Sequence, residues 1–506
     1  MNPKENNIKF VVAGLLLGIL MAAMDNTIVA TAMATIVGDL GGLDKFIWVT
    51  SAYMVATMAG MPIFGKLSDM YGRKRFYIGG LLLFLIGSML CGTAGSIEQL
   101  SIYRAIQGIG GGALMPIAFT IMYDIFPPEK RGKMTGLFGA VFGTSSVFGP
   151  LLGAYITEYI SWHWVFYINL PLGLISLFFI MKYYQESLQH KKQQIDWPGA
   201  ITLIIGIVSL MFALELGGKE YAWNSGVIIS LFAIFGVMVI AFFLIERKAQ
   251  EPVISFHLFK NRLFAATQGV ALFYGATFII ATVYIPIFVQ GVLGGSASNA
   301  GLILTPMMLG SVAGSQTGGQ LATRTSYRNI MLLSGVFFVT GFYLLSTLTV
   351  DTSRAMVTLF MILAGLGVGF SFSVLSMASI HGLDMRSRGS ATSTNSFSRS
   401  LGMTLGVTIF GTIQNSIFTN KLKSVFPPEL ANLAPKGGDT SFLLSSEANK
   451  NIPPDVLQSI KEALAHSISS IFAWALLPAI LAVVCILLMG NERLAIPVKN
   501  KKKQVS

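Results

Sequence analysis

Gly65-Lys66-Leu67-Ser68 and Arg131-Gly132 return later in the chain as Gly319-Gln320-Leu321-Ala322 and Arg388-Gly389. The offsets, 254 and 257 residues, agree closely, as expected of a duplicated half. Working outward from these marks, apolar runs separated by polar breaks lie near residues 10–33, 46–65, 76–96, 100–123, 134–157, 164–184, 197–216, 224–245, 263–290, 298–321, 329–350, 354–378, 390–418 and 468–490. Each is long enough, at ~1.5 Å per residue, to cross a hydrocarbon layer of ~30 Å. The repeat makes this six spans, two inserted spans (197–216 and 224–245), then six more. The expected fold is an all-α polytopic membrane protein with 14 transmembrane helices. Its expected parts are an N-terminal six-helix bundle (1–184), a linker with the two inserted helices (185–262) and a C-terminal six-helix bundle (263–506). The last carries a long external loop (419–467), where Pro453-Pro454-Asp455 opens a short amphipathic helix, and a basic cytoplasmic tail.

Composition agrees. Of 506 residues 53% are hydrophobic and 11% charged, against about 25% charged in soluble proteins, which excludes an ordinary cytosolic enzyme. Strands of alternating polarity are absent from the sequence, so a membrane barrel is excluded too. Cys91 and Cys485 both fall in apolar runs and are expected as unpaired, buried thiols. With the N-terminus inside, 25 of the 35 Lys and Arg fall in cytoplasmic segments, 8 outside and 2 within helices. Both termini are therefore expected in the cytoplasm. The net charge of +12 arises from topogenic clusters such as Arg73-Lys74-Arg75, Lys130-Arg131-Lys133 and Lys501-Lys502-Lys503, which face anionic lipid rather than nucleic acid.

An ionised group inside hydrocarbon is costly, so one retained there is a functional candidate. Asp25 lies roughly 10 Å and Arg104 roughly 6 Å below the outer edge of their spans. Burial raises a carboxyl pKa and a nearby cation lowers it, a competition that suits Asp25 to carry a proton, facing a central pathway, with Arg104 beside it. A fixed salt bridge is the alternative. Arg104, Gln107, Gly108, Gly111 and Met115 share one helix face. The segment Gly65 to Arg75 is expected as a cytoplasmic turn that latches the halves: Asp69 against the positive end of a neighbouring helix, a base against Asp124, and Gly65 and Gly72 at tight positions beside Arg73. In the fifth span Gly139, Gly143, Ser146, Pro150 and Gly153 form a stripe that allows close packing. A substrate cavity is expected near the midplane, using Met21, Met24, Tyr53, Phe142, Tyr284 and Met307, with Gln107 and Met115 on the Arg104 face. Arg399 either contacts substrate or bonds to carbonyls. Glu215 is expected to reach the interface, and Glu246 and His381, at inner helix ends, to matter little. Gly60-Met61-Pro62-Ile63-Phe64-Gly65-Lys66 imitates a phosphate-binding loop, but Leu67 replaces its Ser or Thr and no strand precedes it.

These motifs together resemble the major facilitator superfamily, and the fourteen-span plan resembles its multidrug:proton antiporter branch. Met24 to Val29 is similar to that branch's first-helix acid motif, Gly65 to Arg75 to the loop signature, Arg104 to Gly108 to the fourth-helix RxxQG element, and Gly143 to Gly153, with Gly149-Pro150, to the antiporter motif. The resemblance implies the major facilitator fold, export of lipophilic or monocationic toxic compounds, alternating access by rocking bundles, Asp25 as proton carrier and Arg104 as its modulator. It implies a proton gradient instead of a bound cofactor or metal, and a plasma-membrane monomer contacting small-molecule substrates, protons and lipid. A lipid or lipid-linked amphiphile flippase of the same fold, or a proton:metabolite symporter, is the competing reading. The sequence departs from the family at His163, where an external arginine is expected, and at Thr323, the repeat's counterpart of Asp69, so a second latch should be weaker. Residues Thr305 to Ser311 lack the acid of divalent-cation exporters.

Overall fold

The computed structural model describes residues 3–41, 45–186, 195–218, 220–294, 302–425 and 454–494. Among them, fourteen helices of fifteen residues or more follow the predicted runs. The first half contains α1 (Pro3–Leu40), α2 (Ile47–Tyr71), α3 (Arg73–Cys91), α4 (Ile97–Ile125), α5 (Pro128–Tyr159) and α6 (Asn169–Tyr183). Then come α7 (Trp197–Leu216) and α8 (Gly226–Glu246), followed by α9 (Arg262–Gly291), α10 (Thr305–Leu321), α11 (Tyr327–Leu345), α12 (Arg354–Ser379), α13 (Arg388–Val425) and α14 (Pro454–Leu488). Among the described residues, twelve helical stretches are long and apolar enough to cross a membrane; α2 and α10 are not among them. Both pack between the halves, α2 against α4 and α13, and α10 against α12 and α5. A helix covered by protein on several sides does not need an apolar surface all round.

The starts of the helices follow local chemistry. Ser96, Asp196, Ser225, Asn261, Ser326 and Ser353 each cap a helix with a side-chain oxygen that accepts a first-turn N–H. The expected turn from Gly65 to Arg75 is corrected: α2 stays helical through Tyr71, and the chain reverses at Gly72 alone, where φ is 111°. That conformation favours glycine because it has no Cβ. The external loop is corrected as well. Pro454 begins α14 itself, which runs unbroken to Leu488, and α13 extends to Val425, so no separate short helix follows Pro453. Residues 426–453 and the basic tail at 495–506 lie outside the described residues. Both cysteines are free; Cys91 is buried, but Cys485 is only half-buried.

The duplicated sequence marks meet crosswise. Gly65 of α2 lies against Gly389 of α13, and Gly319 of α10 against Gly132 of α5. A Cβ on Gly65 would come 2.8 Å from the Gly389 carbonyl oxygen, and one on Gly319 would come 2.6 Å from that of Gly132. Both seams are thus closed backbone to backbone at the basic end of the molecule. The inserted helices cover one seam: α7 packs on α2 and, more lightly, on α13, while α8 leans on α7 and leaves Val237 and Ile240 largely exposed. Gly132→Ala is expected to hold the α5–α10 seam open at this end, seen as at least a several-fold loss of cross-linking between cysteines introduced at positions 133 and 323.

Candidate proton-coupling site and interdomain latch

Asp25, in the middle of α1, is completely buried, as are Arg104 and Gln107 of α4 and Asn169 of α6. Asp25 pairs with the Arg104 guanidinium through Oδ2. Its Oδ1 accepts from Gln107 Nε2 at 2.8 Å and Asn169 Nδ2 at 2.9 Å. Arg104 also donates to Gln107 Oε1 at 2.7 Å and lies over the Tyr53 ring, 4.1 Å from its centroid. Behind the carboxylate, Ser88 Oγ accepts from Gln107 and Asn169 and donates to the Phe166 carbonyl. Three N–H donors thus converge on one carboxyl group. The expectation of a carboxyl facing a central pathway is corrected: Asp25 is enclosed within the N-terminal half, among α1, α3, α4 and α6.

The cluster nevertheless touches α2 at one seam, and the helix that bears Asp25 touches α5 at the other. Tyr53 belongs to α2. Two residues after Asp25, Thr27 Oγ1 donates to the Met24 carbonyl and lies 3.3 Å from the Ser145 carbonyl of α5. The glycine stripe of α5 divides by partner. Gly149 and Gly153 face Thr27 and Thr31 of α1, whereas Gly143 faces Met308 and Val312 of α10. Pro150 lies between the two α1 contacts. Helix α5 therefore has the acid-bearing helix on one side and the other half on its other side.

At the basic end, Asp69 is buried and accepts from the backbone N–H groups of Gly389 at 2.8 Å and Ser390 at 2.7 Å, the first turn of α13. The N-terminal end of a helix offers free N–H donors and partial positive charge to such an anion. Arg73, also buried, bridges Asp69 at 3.3 Å, pairs with Asp124 and donates to the Met385 carbonyl. Arg388 reaches back to Asp124 at 3.1 Å. One network thus joins α2, α3 and α4 to the start of α13. At the related seam Thr323 turns its hydroxyl to the Gln320 carbonyl of its own helix region, and Arg131 donates to the Phe126 carbonyl.

The residues expected to line a cavity are spread over several helices in this conformation. Met21, Met24 and Met307 are packed in the helix cores at 4% exposure or less, and Tyr53 and Gln107 belong to the Asp25 cluster. Tyr284 is buried near Gly411, and Met115 is half-buried. The side chain of Phe142 lies outside the described residues. Arg399 is partly buried, its guanidinium 4.5 Å from the Phe372 ring centroid. A groove of about 610 Å³ lies along α10 and α12, lined by Leu309, Ala313 and Ile362 among others, and touches no member of the Asp25 cluster. His163 stacks on Trp162, whose indole donates to Asp39 at 2.7 Å. Burial holds the His381 imidazole below its ordinary pKa, opposed by the Glu492 carboxylate.

Sequence reasoning gave no role to Asn169 or Ser88, nor to Arg388 beyond marking the repeat. An amide inside an apolar span was the available signal for Asn169. Glu246, set aside because of its position, is 3% exposed.

The family model described as "Major Facilitator Superfamily" matches residues 15–407, and the chain belongs to that superfamily. It is 61% identical over 504 residues to "Multidrug resistance protein 3" of Bacillus subtilis (strain 168), covering 99% of this chain and 98% of that protein. It is 39% identical over 457 residues to "Multidrug transporter protein MdtP" of the same organism, covering 90% and 84%. Among solved structures, the human organic anion transporter MFSD10 (TETRAN) has a similar fold, with a TM-score of 0.58 at 15% identity, covering 95% of this chain and 100% of that one.

Proposed function

We propose that this chain exports lipophilic or monocationic toxic compounds across the plasma membrane, driven by protons moving inward, with both termini in the cytoplasm. The names of the two Bacillus relatives support the cargo class. The observation that carries the coupling is the enclosed Asp25 carboxylate accepting from Arg104, Gln107 and Asn169. A protonated carboxyl turns an O–H toward the N–H groups that now donate to it, so protonation rearranges the cluster, by turning an amide to offer its oxygen or by parting Asp25 from Arg104. Tyr53 ties the cluster to α2 and Thr27 ties the helix bearing Asp25 to α5, so that rearrangement reaches the helices at both seams. The bundles 1–184 and 263–506 then rock about those seams, and 185–262 links them. A proton reaches Asp25 when this movement opens its surroundings. The latch at Asp69 holds the cytoplasmic side shut in the state described.

The test uses purified protein in proteoliposomes with an imposed pH gradient and tetraphenylphosphonium as the probe cation. Uptake should accompany alkalinisation of an acidic lumen. Uptake with no movement of protons would overturn the antiport reading, as would transfer of labelled lipid between leaflets with no cation uptake.

A further inference from the structure

The cytoplasmic end of the inserted helix pair holds two carboxylates that the coupling site does not use. Asp196 caps α7, its Oδ1 accepting from Gly199 N at 2.9 Å. Glu246 closes α8, its Oε1 accepting from Val253 N at 3.0 Å. Both groups crowd Gly199: a Cβ there would come 3.0 Å from Glu246 Oε1 and closer still to Asp196 Oδ2. The second oxygen of each, Asp196 Oδ2 and Glu246 Oε2, is buried with no hydrogen-bond partner among the described residues. Glu246 is 3% exposed. Lys66 lies close enough to act on the Glu246 carboxylate through its charge, without a hydrogen bond to it. Lys66 of α2 pairs with Glu251 at 2.6 Å, and Arg247 lies over the Phe243 ring. Lys248 is exposed.

Two adjacent carboxylates, Glu246 buried and Asp196 half-buried, each with an orphaned buried oxygen, repel each other strongly when both are ionised. One proton held by the pair removes a charge and supplies one O–H donor where the orphaned oxygens have none. We infer that Asp196 and Glu246 form a proton-binding site of their own, separate from Asp25, at the point where the inserted helices are tied to α2. Loss of the proton sets two negative charges against each other beside the segment 247–253. That segment carries Glu251, so deprotonation loosens the Lys66–Glu251 tie between the inserted pair and the N-terminal half.

Glu246→Gln and Asp196→Asn are suitable variants, because Gln keeps an acceptor for Val253 and Asn is a good helix cap. Infrared difference spectra of the full-length protein in lipid nanodiscs, titrated from about pH 5 to pH 9 across and beyond the ordinary carboxyl range, should show one protonated-carboxyl band per chain persisting to neutral pH. Either variant should abolish that band near neutrality, and Asp25→Asn should leave it. A band unchanged in both variants, or its absence above about pH 6 in the unaltered protein, overturns the inference. So does stoichiometric retention of Mg²⁺ with both carboxylates ionised. Both variants should keep proton-linked tetraphenylphosphonium transport, so failure here is distinct from failure of the antiport reading.

Discussion

Asp25→Asn is expected to abolish proton-linked transport and to destabilise the fold at the same time. The substitution leaves the Arg104 guanidinium, with no exposed surface, without its counter-charge. Breaking one side of a buried ion pair costs about 3–5 kcal/mol. Thermal unfolding in detergent should therefore fall well below that of the unaltered protein. The double variant Asp25→Asn/Arg104→Gln separates the two effects. It removes both charges, so most of the stability should return, because the penalty comes from the unpaired charge more than from the loss of attraction. Coupling should not return, since no titratable carboxyl remains at that site. Lumen alkalinisation in proteoliposomes at the level of empty vesicles, together with near-normal melting, is the expected pair of results. Proton-linked uptake by the double variant would remove Asp25 from the mechanism.

The second large effect belongs to the latch. Asp69→Asn takes the negative charge from a group that accepts two main-chain N–H bonds at the start of α13 and faces Arg73. Hydrogen bonds to charged groups contribute about 1.5–3 kcal/mol each, and a loss of about 2.7 kcal/mol shifts an equilibrium about 100-fold. The closed arrangement should give way to one open at the basic end. Spin labels at the exposed positions Lys133 and Arg386, one in each half, should report a longer distance in Asp69→Asn. Thr323→Ala, at the position related by the repeat, should change the populations less than about threefold, because surface substitutions away from special features shift stability by no more than about 0.5 kcal/mol. Equal effects at the two positions would show that the seams are held by backbone packing alone.

The site was partly legible before any coordinates. Asp25 and Arg104 stood out because charge inside an apolar run is rare and their depths are similar. Asp69 stood out as an acid among bases. Glu246 did not, since a charged residue at a helix end looks like one that reaches water; the folding of residues 247–256 back over it is what buries it. The turn from Gly65 to Arg75 was misplaced for a related reason. Its polar residues look like a loop, yet they remain helical because α13 lies against them and satisfies Asp69.

Apolar run length makes the chain an all-helical membrane protein, since hydrocarbon thickness and backbone hydrogen bonding leave it few other choices, and the doubled Gly and Arg-Gly marks point to the places where helices meet. Tertiary structure alone decided which mark meets which, where Asp25 points, and that two distant acids meet at Gly199. Those outcomes depend on side chains from helices far apart in sequence arriving at one place, and no periodicity along the chain encodes that.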